Sequence, residues 1–394
     1  MKIFQEDTRV YQLINLLNVV GEFPVSSLDL LGDKRCFRRL ITELTQLQDF
    51  HNSETGEKYS CVAIGLSGKG KAKTIRLKKQ AMPLLEWING AKYYDDAFLS
   101  NHIGGGEQTI ERNHRTAEVV AMMQGAGIEY RPWIMPILQM DCYQEENIFE
   151  PVYYSSKAIK YAADDTPQFI GFTRFAGAFV TPTDCFTVYN VRDSVMKWGN
   201  AGEAKAYNII NRCMTLNSQT RRISKAILMG RDINTVMNTI TQTEKAEKAA
   251  VALNRQQSYK YHNSITSIYR SVYYVPLSNF GQKLLKILTV PDYHSKVLRL
   301  IYKEDELSKG TENFVYDVYR KNRHVLSFLD GDVTRLRQFK ETIMYYQEKG
   351  TSESYAVLCF KEQSEEITEY MSDCEEVKIQ TVNINQVLDL LFED

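Results

Sequence analysis

The sequence predicts an α/β chain, α+β in overall layout, built from two unlike parts. Apolar residues recur at three- and four-residue steps through the first fifty positions, and a lysine-rich, glycine-punctuated hairpin pattern follows them. From about residue 113, short β-branched and aromatic runs alternate with helical periods to the end, the pattern of a mixed sheet covered by helices. The 394 residues are 43% hydrophobic and 25% charged, which fits a folded chain and excludes collagen-like repeats, disulfide scaffolds and wholesale disorder. No apolar run approaches the roughly 18 residues of a membrane span, and no basic stretch leads into an apolar signal segment, so the expected location is cytoplasmic with no membrane contact.

Thr8 to Val20 reads as an amphipathic helix, with Val10, Leu13, Ile14, Leu16, Leu17 and Val20 on one stripe and Gly21 as its stop. A short second helix, Leu28 to Leu31, is capped by Ser26 or Ser27 and ended by Gly32. Asp33 caps a third, whose buried face is Cys36, Phe37, Leu40, Ile41, Leu44 and Leu47 and whose other face is cationic. Tyr59 to Leu66 then reads as a strand, Ser67 to Lys73 as a tip, and Thr74 to Leu77 as the return strand. Lys78 to Ile88 closes the unit as a helix, with Pro83 in its first turns. A hairpin behind a third helix is the pattern of a winged helix-turn-helix over residues 1–90.

Such a unit lays its recognition helix in the major groove while arginines and lysines neutralise phosphates. Arg35, Arg38 and Arg39 are the groove candidates, with Thr42 beside them. Lys69, Lys71 and Lys73 of the wing are the phosphate candidates, joined by Arg76 of the return strand. Charge is distributed accordingly. The formal net charge is −1, but residues 58–79 carry seven basic side chains and no acidic one, whereas 361–394 carry two basic and ten acidic. One end suits a polyanion, and the acidic C-terminal tail suits a basic protein partner or competition with DNA for the wing.

Residues 91–112, with Gly104-Gly105-Gly106, read as a linker; the triple glycine lacks the Gly-Lys-Ser/Thr ending of a phosphate loop. The α/β domain spans 113–394 and opens with a helix from Asn113 to Ala126. Strands are expected at 169–174, 176–181, 186–191, 225–229, 267–275, 296–302, 324–329, 355–360 and 377–382. Helices are expected at 202–216, 233–241, 279–288, 333–348, 364–371 and 384–392.

Chemistry is harder to find. Seven scattered cysteines and six dispersed histidines give no knuckle or paired spacing, so no metal site and no cofactor are expected. Glu203-Ala204-Lys205 spells the Glu-x-Lys of a metal-dependent nuclease but opens a helix, leaving Asp184, Glu203 and Lys205 as weak catalytic candidates. The four tyrosine doublets lack the histidine cluster of a relaxase, and no hydrolase nucleophile motif is present. A second basic stretch contains Arg221 and Arg222, the candidates for DNA contact outside the wing.

The order of parts, with Thr74-Ile75-Arg76-Leu77-Lys78-Lys79 closing the wing and Asn113-His114-Arg115-Thr116-Ala117-Glu118-Val119 opening the next helix, resembles the replication-relaxation family of plasmids and integrative elements. Phe175-Ala176-Gly177-Ala178-Phe179-Val180 and Val188-Tyr189-Asn190-Val191 look like segments of proteins on mobile elements of Gram-positive bacteria. The resemblance implies DNA binding by the N-terminal domain and a restriction-endonuclease-like core that is often degenerate. Ala176 and Tyr189 stand where that core would keep its acids, which argues against catalysis. The expectation is a sequence-specific double-stranded DNA-binding protein of a mobile element, acting in replication, conjugative transfer or transcription control, as a homodimer if its site is palindromic. A metal-dependent nuclease or relaxase, and a protein-docking scaffold, are the alternatives.

Overall fold

A computed structural model describes residues 2–88, 106–130, 150–156, 159, 174–196, 203, 205–211, 222–253, 264–307, 315–350 and 353–393. The described chain is mixed α/β with mixed sheets. Among the described residues, no helix is long and apolar enough to cross a membrane.

The N-terminal unit follows the sequence pattern closely. β1 (Lys2–Phe4) leads to α1 (Arg9–Val20), capped by Thr8, whose Oγ1 accepts from the Tyr11 N–H, and stopped by Gly21 at φ 76°. β2 (Glu22–Pro24) runs into a 3-10 helix (Val25–Leu31) in place of the expected α-helical turn, starting directly after Pro24. α2 (Lys34–Leu44) is capped by Asp33, whose carboxylate accepts from Cys36 N–H at 2.7 Å, and buries Phe37, Leu40, Ile41 and Leu44. The expected single strand from Tyr59 to Leu66 is two. β4 (Lys58–Cys61) pairs with β3 (Gln48–Asn52), which itself runs parallel to β1; β5 (Ile64–Ser67) and β6 (Thr74–Leu77) form the hairpin beside β2. The chain breaks at Val62 and Ala63, where Ala63 is buried and its carbonyl accepts from Lys78 N–H. Closing α3 (Met82–Glu86) is preceded by a 3-10 turn.

α4 (Glu107–Gly125) begins six residues before the expected Asn113, so the last part of the presumed linker is helix. Its second half, from Ala117 to Met123, is buried because it is covered twice. α1, β2 and the 3-10 helix pack on one side, and strands β7 (Glu129–Tyr130), β8 (Val152–Ser155), β9 (Phe175–Val180) and β10 (Asp184–Arg192) on the other.

These strands belong to a six-stranded sheet in the order β12-β11-β10-β9-β8-β7, where β10, β11 (Arg222–Gly230) and β12 (Ser271–Pro276) are parallel and β9 is antiparallel to both neighbours. α5 (Ile233–Leu253) follows β11, and a short α6 (Ile265–Ile268) occupies the start of the expected 267–275 strand. α7 (Asn279–Leu288) matches expectation. The expected strand at 296–302 is instead the helix α8 (Tyr293–Ile301), whose buried residues Tyr293, Val297 and Leu298 keep a helical spacing that an alternating reading overlooks. The expected strand at 169–174 lies mostly outside the described residues.

A second, four-stranded sheet has the order β13-β14-β15-β16: β13 (Val318–Tyr319), β14 (Arg323–Ser327), β15 (Ser354–Phe360) and β16 (Val377–Val382), the last three parallel. α9 (Val333–Glu348), α10 (Ser364–Tyr370) and α11 (Ile384–Phe392) fall where the sequence puts them. The acidic C-terminal segment is thus no loose tail. β16 pairs along β15, and Met371, Ile384 and Val387 are buried beneath it. Deleting 371–394 is expected to unfold the second sheet rather than to tighten nonspecific DNA binding, because each buried aliphatic side chain lost removes about 1.5–3 kcal/mol. A circular-dichroism melt of the truncated chain checks this.

The two sheets meet at the turn after β14. Tyr274 N–H donates to Gly331 O at 2.8 Å, and Tyr273 bridges Asp332. Gly331 sits at φ 80°, and a Cβ there would lie 2.6 Å from Tyr274 O, so this seam requires glycine.

Candidate functional site

Arg35, Arg38, Arg39 and Thr42 all lie exposed on the face of α2 opposite its buried stripe. Arg39 Nε bonds Glu43 Oε1 at 3.0 Å, and Lys2 also pairs with Glu43; these two cations hold the Glu43 carboxyl below its usual range. So exposed a pair contributes little to stability and yields readily to another anion. Lys69 and Lys73 are exposed at the β5–β6 tip; the Lys71 side chain lies outside the described residues. The tip doubles back at Gly68, where a Cβ would lie 2.3 Å from Ala72 O, and Val25 N–H donates to Lys73 O at 2.9 Å. Lys34, the first residue of α2, donates to Ser26 O at 3.2 Å. Tip and α2 N-terminus therefore abut the same 3-10 helix.

Arg76 is a correction. Its Nε and Nη2 lie 3.0 and 2.7 Å from Glu22 Oε2, and that carboxylate is 1% exposed, so this guanidinium neutralises a buried acid and is not offered to phosphate. Arg222 is the first residue of β11 with its side chain outside the described residues, and Arg221 lies outside them altogether. Glu203 is buried and Lys205 half-buried on a helical stretch, while Asp184 opens β10 and pairs with Lys225 Nζ at 2.9 Å. The three weak catalytic candidates are therefore not arranged as a strand-borne Glu-x-Lys site. Ala176 and Tyr189 are buried in β9 and β10. Among the described residues no group of three or more His, Cys, Asp or Glu side chains is arranged to hold a metal.

Behind the basic face, Glu118 of α4 ties the two parts together. It accepts from Ser27 Oγ at 2.5 Å on the N-terminal unit, and from Asn190 Nδ2 at 2.9 Å and Arg192 Nε at 2.7 Å on β10. Gln282 Nε2 of α7 adds a second crossing, donating to Leu30 O at 2.7 Å. α2 and the hairpin tip are consequently fixed relative to the central sheet.

A second feature, which no motif announces, is a cavity of about 1210 Å³ between the two sheets. Asp184, Lys225 and Ser271, at the N-terminal ends of β10, β11 and β12, form one wall. The opposite wall is the turn after β14, with Asp330 and Asp332, and the first turn of α8, with His294. His294 Nδ1 lies 3.0 Å from Asp330 Oδ2 and its Nε2 2.9 Å from Asp317 Oδ1; Arg335 Nη2 reaches the same Asp317 oxygen at 2.5 Å. Burial works against the imidazolium, yet Asp317 and Asp330 raise His294 from 6.5 to about 10. Burial and the neighbouring Asp330 charge push Asp332 up to about 7, whereas Asp330, whose burial is outweighed by His294 and Arg335, sits below its usual value. Residues from sequence positions 184 to 335 make this cluster, so no local spacing announces it.

Both raised groups give the same sign. The stability from the His294 imidazolium is fully present below its ordinary value and is lost as pH rises from about 6.5 toward 10. The raised Asp332 carboxyl lowers stability as pH rises from about 3.8 to about 7, so its loss is almost complete where the His294 loss begins. Tm is therefore expected to fall from pH 6.5 to 10, and His294→Asn to flatten that fall while lowering Tm at pH 6; melts across pH check it.

No family model, curated protein or solved structure matches the chain.

Proposed function

We propose that the chain binds double-stranded DNA sequence-specifically through α2 and the β5–β6 hairpin, without catalysing a reaction on it. The observation that carries this reading is the exposed Arg35, Arg38, Arg39 and Thr42 face on a helix that abuts the same 3-10 helix as the lysine-bearing tip, while α1, β2 and that 3-10 helix pack against α4. The order α1, β2, 3-10 helix, α2 and, after the β3–β4 pair, the β5–β6 hairpin, with β2-β6-β5 as one sheet, supports a winged-helix reading, in which the third helix enters the major groove and the hairpin follows the backbone. Arginine suits the bidentate contact to guanine edges, and lysine at the tip suits phosphate. The resemblance to replication-relaxation proteins supports a setting on a mobile element, where such a protein marks an origin or promoter.

A nuclease is less well supported, because Glu203 is buried in a helical stretch and Asp184 is neutralised by Lys225. The test is a salt titration of binding to duplex fragments from the DNA adjoining the coding region and to random duplexes, with Mg²⁺ in a parallel set. The reading expects tight binding to a particular fragment and a log–log salt slope of about −0.9 for each phosphate contacted. Equal, weak binding to every duplex would overturn sequence specificity, and cleavage in the Mg²⁺ set would overturn the absence of catalysis.

A further inference from the structure

The intersheet cavity is built differently from the DNA-facing surface, and its charges differ between its two walls. On the wall formed by the turn after β14 and the start of α8, acid and base are matched: Asp317 and Asp330 share His294 and Arg335. Asp332 Oδ1 caps α9 by accepting from Thr334 and Arg335 N–H at 3.0 and 3.1 Å. Nothing there offers net positive charge, but its carboxylate oxygens present acceptors to a ligand carrying N–H or O–H donors. On the opposite wall the balance reverses. Lys225 spends one of its three donors on Asp184, and Arg270, beside it at the start of β12, is exposed with no ion pair among the described residues. Tyr293 and Tyr316 also line the cavity.

From this sorting we infer that the cavity is a binding site for a nucleoside phosphate, its phosphate on Lys225 and Arg270 and its sugar and base donors turned toward Asp330 and Asp332. A molecule with an anion at one end, hydroxyl and amino donors at the other and a flat ring matches both walls and the aromatic lining; inorganic phosphate matches the Lys225 and Arg270 wall alone, and a free nucleoside the carboxylate wall alone. Position agrees as well, since Asp330 and Asp332 follow the C-terminal end of a parallel strand and precede a helix, where open α/β sheets place ligands. The volume exceeds the usual 300–1000 Å³ of small-molecule pockets and leaves room for a nucleotide with water around it. The ionisation of the Asp330 and Asp332 wall fits the same role: an Asp332 carboxyl raised to about 7 and an ionised Asp330 beside it give one group able to donate and one that accepts. The inference does not draw on the DNA reading, for it uses no residue of the N-terminal unit.

Equilibrium dialysis of the full chain against labelled AMP and GMP, with adenosine, ribose 5-phosphate and inorganic phosphate as competitors, tests it. Saturable binding of at least one nucleotide is expected, with adenosine and inorganic phosphate each at least about tenfold weaker, the equivalent of one lost charge-assisted hydrogen bond. Arg270→Glu, at an exposed position that leaves the core untouched, is expected to weaken nucleotide binding about tenfold or more, and Asp332→Asn to weaken it without changing the affinity for inorganic phosphate. Absence of saturable binding, competition by inorganic phosphate as strong as by nucleotide, or indifference to Arg270→Glu would each overturn the inference. Nucleotide binding retained by a chain carrying Arg35→Glu and Arg38→Glu separates its fate from that of the DNA reading.

Discussion

Glu118→Ala is expected to destabilise the whole chain by about 3–5 kcal/mol, the usual result of removing one partner from a buried ion pair. The carboxylate is 1% exposed, and three donors from two parts of the molecule converge on it. Its removal leaves the Arg192 guanidinium in a mostly buried site without its counter-charge, the Asn190 amide with one acceptor fewer, and the Ser27 hydroxyl without the contact that holds the 3-10 helix against α4. Denaturant unfolding measures the loss. Glu118→Gln separates charge from shape, because it can still accept from Ser27 or Arg192 but not as a charged partner; a smaller loss is expected for it. A loss below about 1 kcal/mol for Glu118→Ala would show that the two parts are held without help from this ion pair.

The second large effect is on binding. Arg35→Glu together with Arg38→Glu is expected to lower affinity for the specific duplex by at least about a hundredfold, since each removes a contact of about 1–3 kcal/mol and sets a like charge against the backbone. Lys69→Ala and Lys73→Ala are expected to act differently, weakening all duplexes alike and reducing the salt slope by about one each. Both pairs of side chains are exposed and make no core contact, so the melting temperature should hold and the loss can be assigned to the interface. Arg76→Ala is expected to do the reverse, costing stability through the orphaned Glu22 carboxylate.

What was legible in the sequence was whatever repeats over a few residues. Leu13, Ile14 and Leu17, or Leu336, Phe339 and Ile343, declare a helix by spacing, and Thr8, Asp33 and Asp332 stand at its caps. β3 was not legible, because Gln48-Asp49-Phe50-His51-Asn52 buries one apolar side chain, Phe50, and offers no alternation to read. α8 was misread as a strand, because Val297-Leu298 beside Leu300-Ile301 looks like a continuous apolar run until Leu300 is found exposed. The acidic end looked like a tail because its composition is polar, yet a helix or strand on the outside of a sheet needs few apolar residues to be anchored. Of the candidate sites, the basic face was legible since it lies on one helix and one hairpin. The cavity was not, since its walls come together through β-ladder register and a turn that touches Tyr274 at a distance of more than fifty residues.

The continuous apolar cluster that runs from Leu13 and Phe23 through Val119 and Met122 to Leu284 changes what can be cut from what. A head whose core closes on itself can be moved between bodies as a cassette. Here the head, residues 2–88, borrows α4 as a wall, and the body borrows the same helix as a cover for its sheet. A cassette made by cutting ahead of residue 106 would carry Leu13, Phe23 and Leu28 without their covering helix, so the transplantable unit extends through Gly125, and the body left behind would have a bare sheet face. Head and body can therefore be exchanged only as one piece.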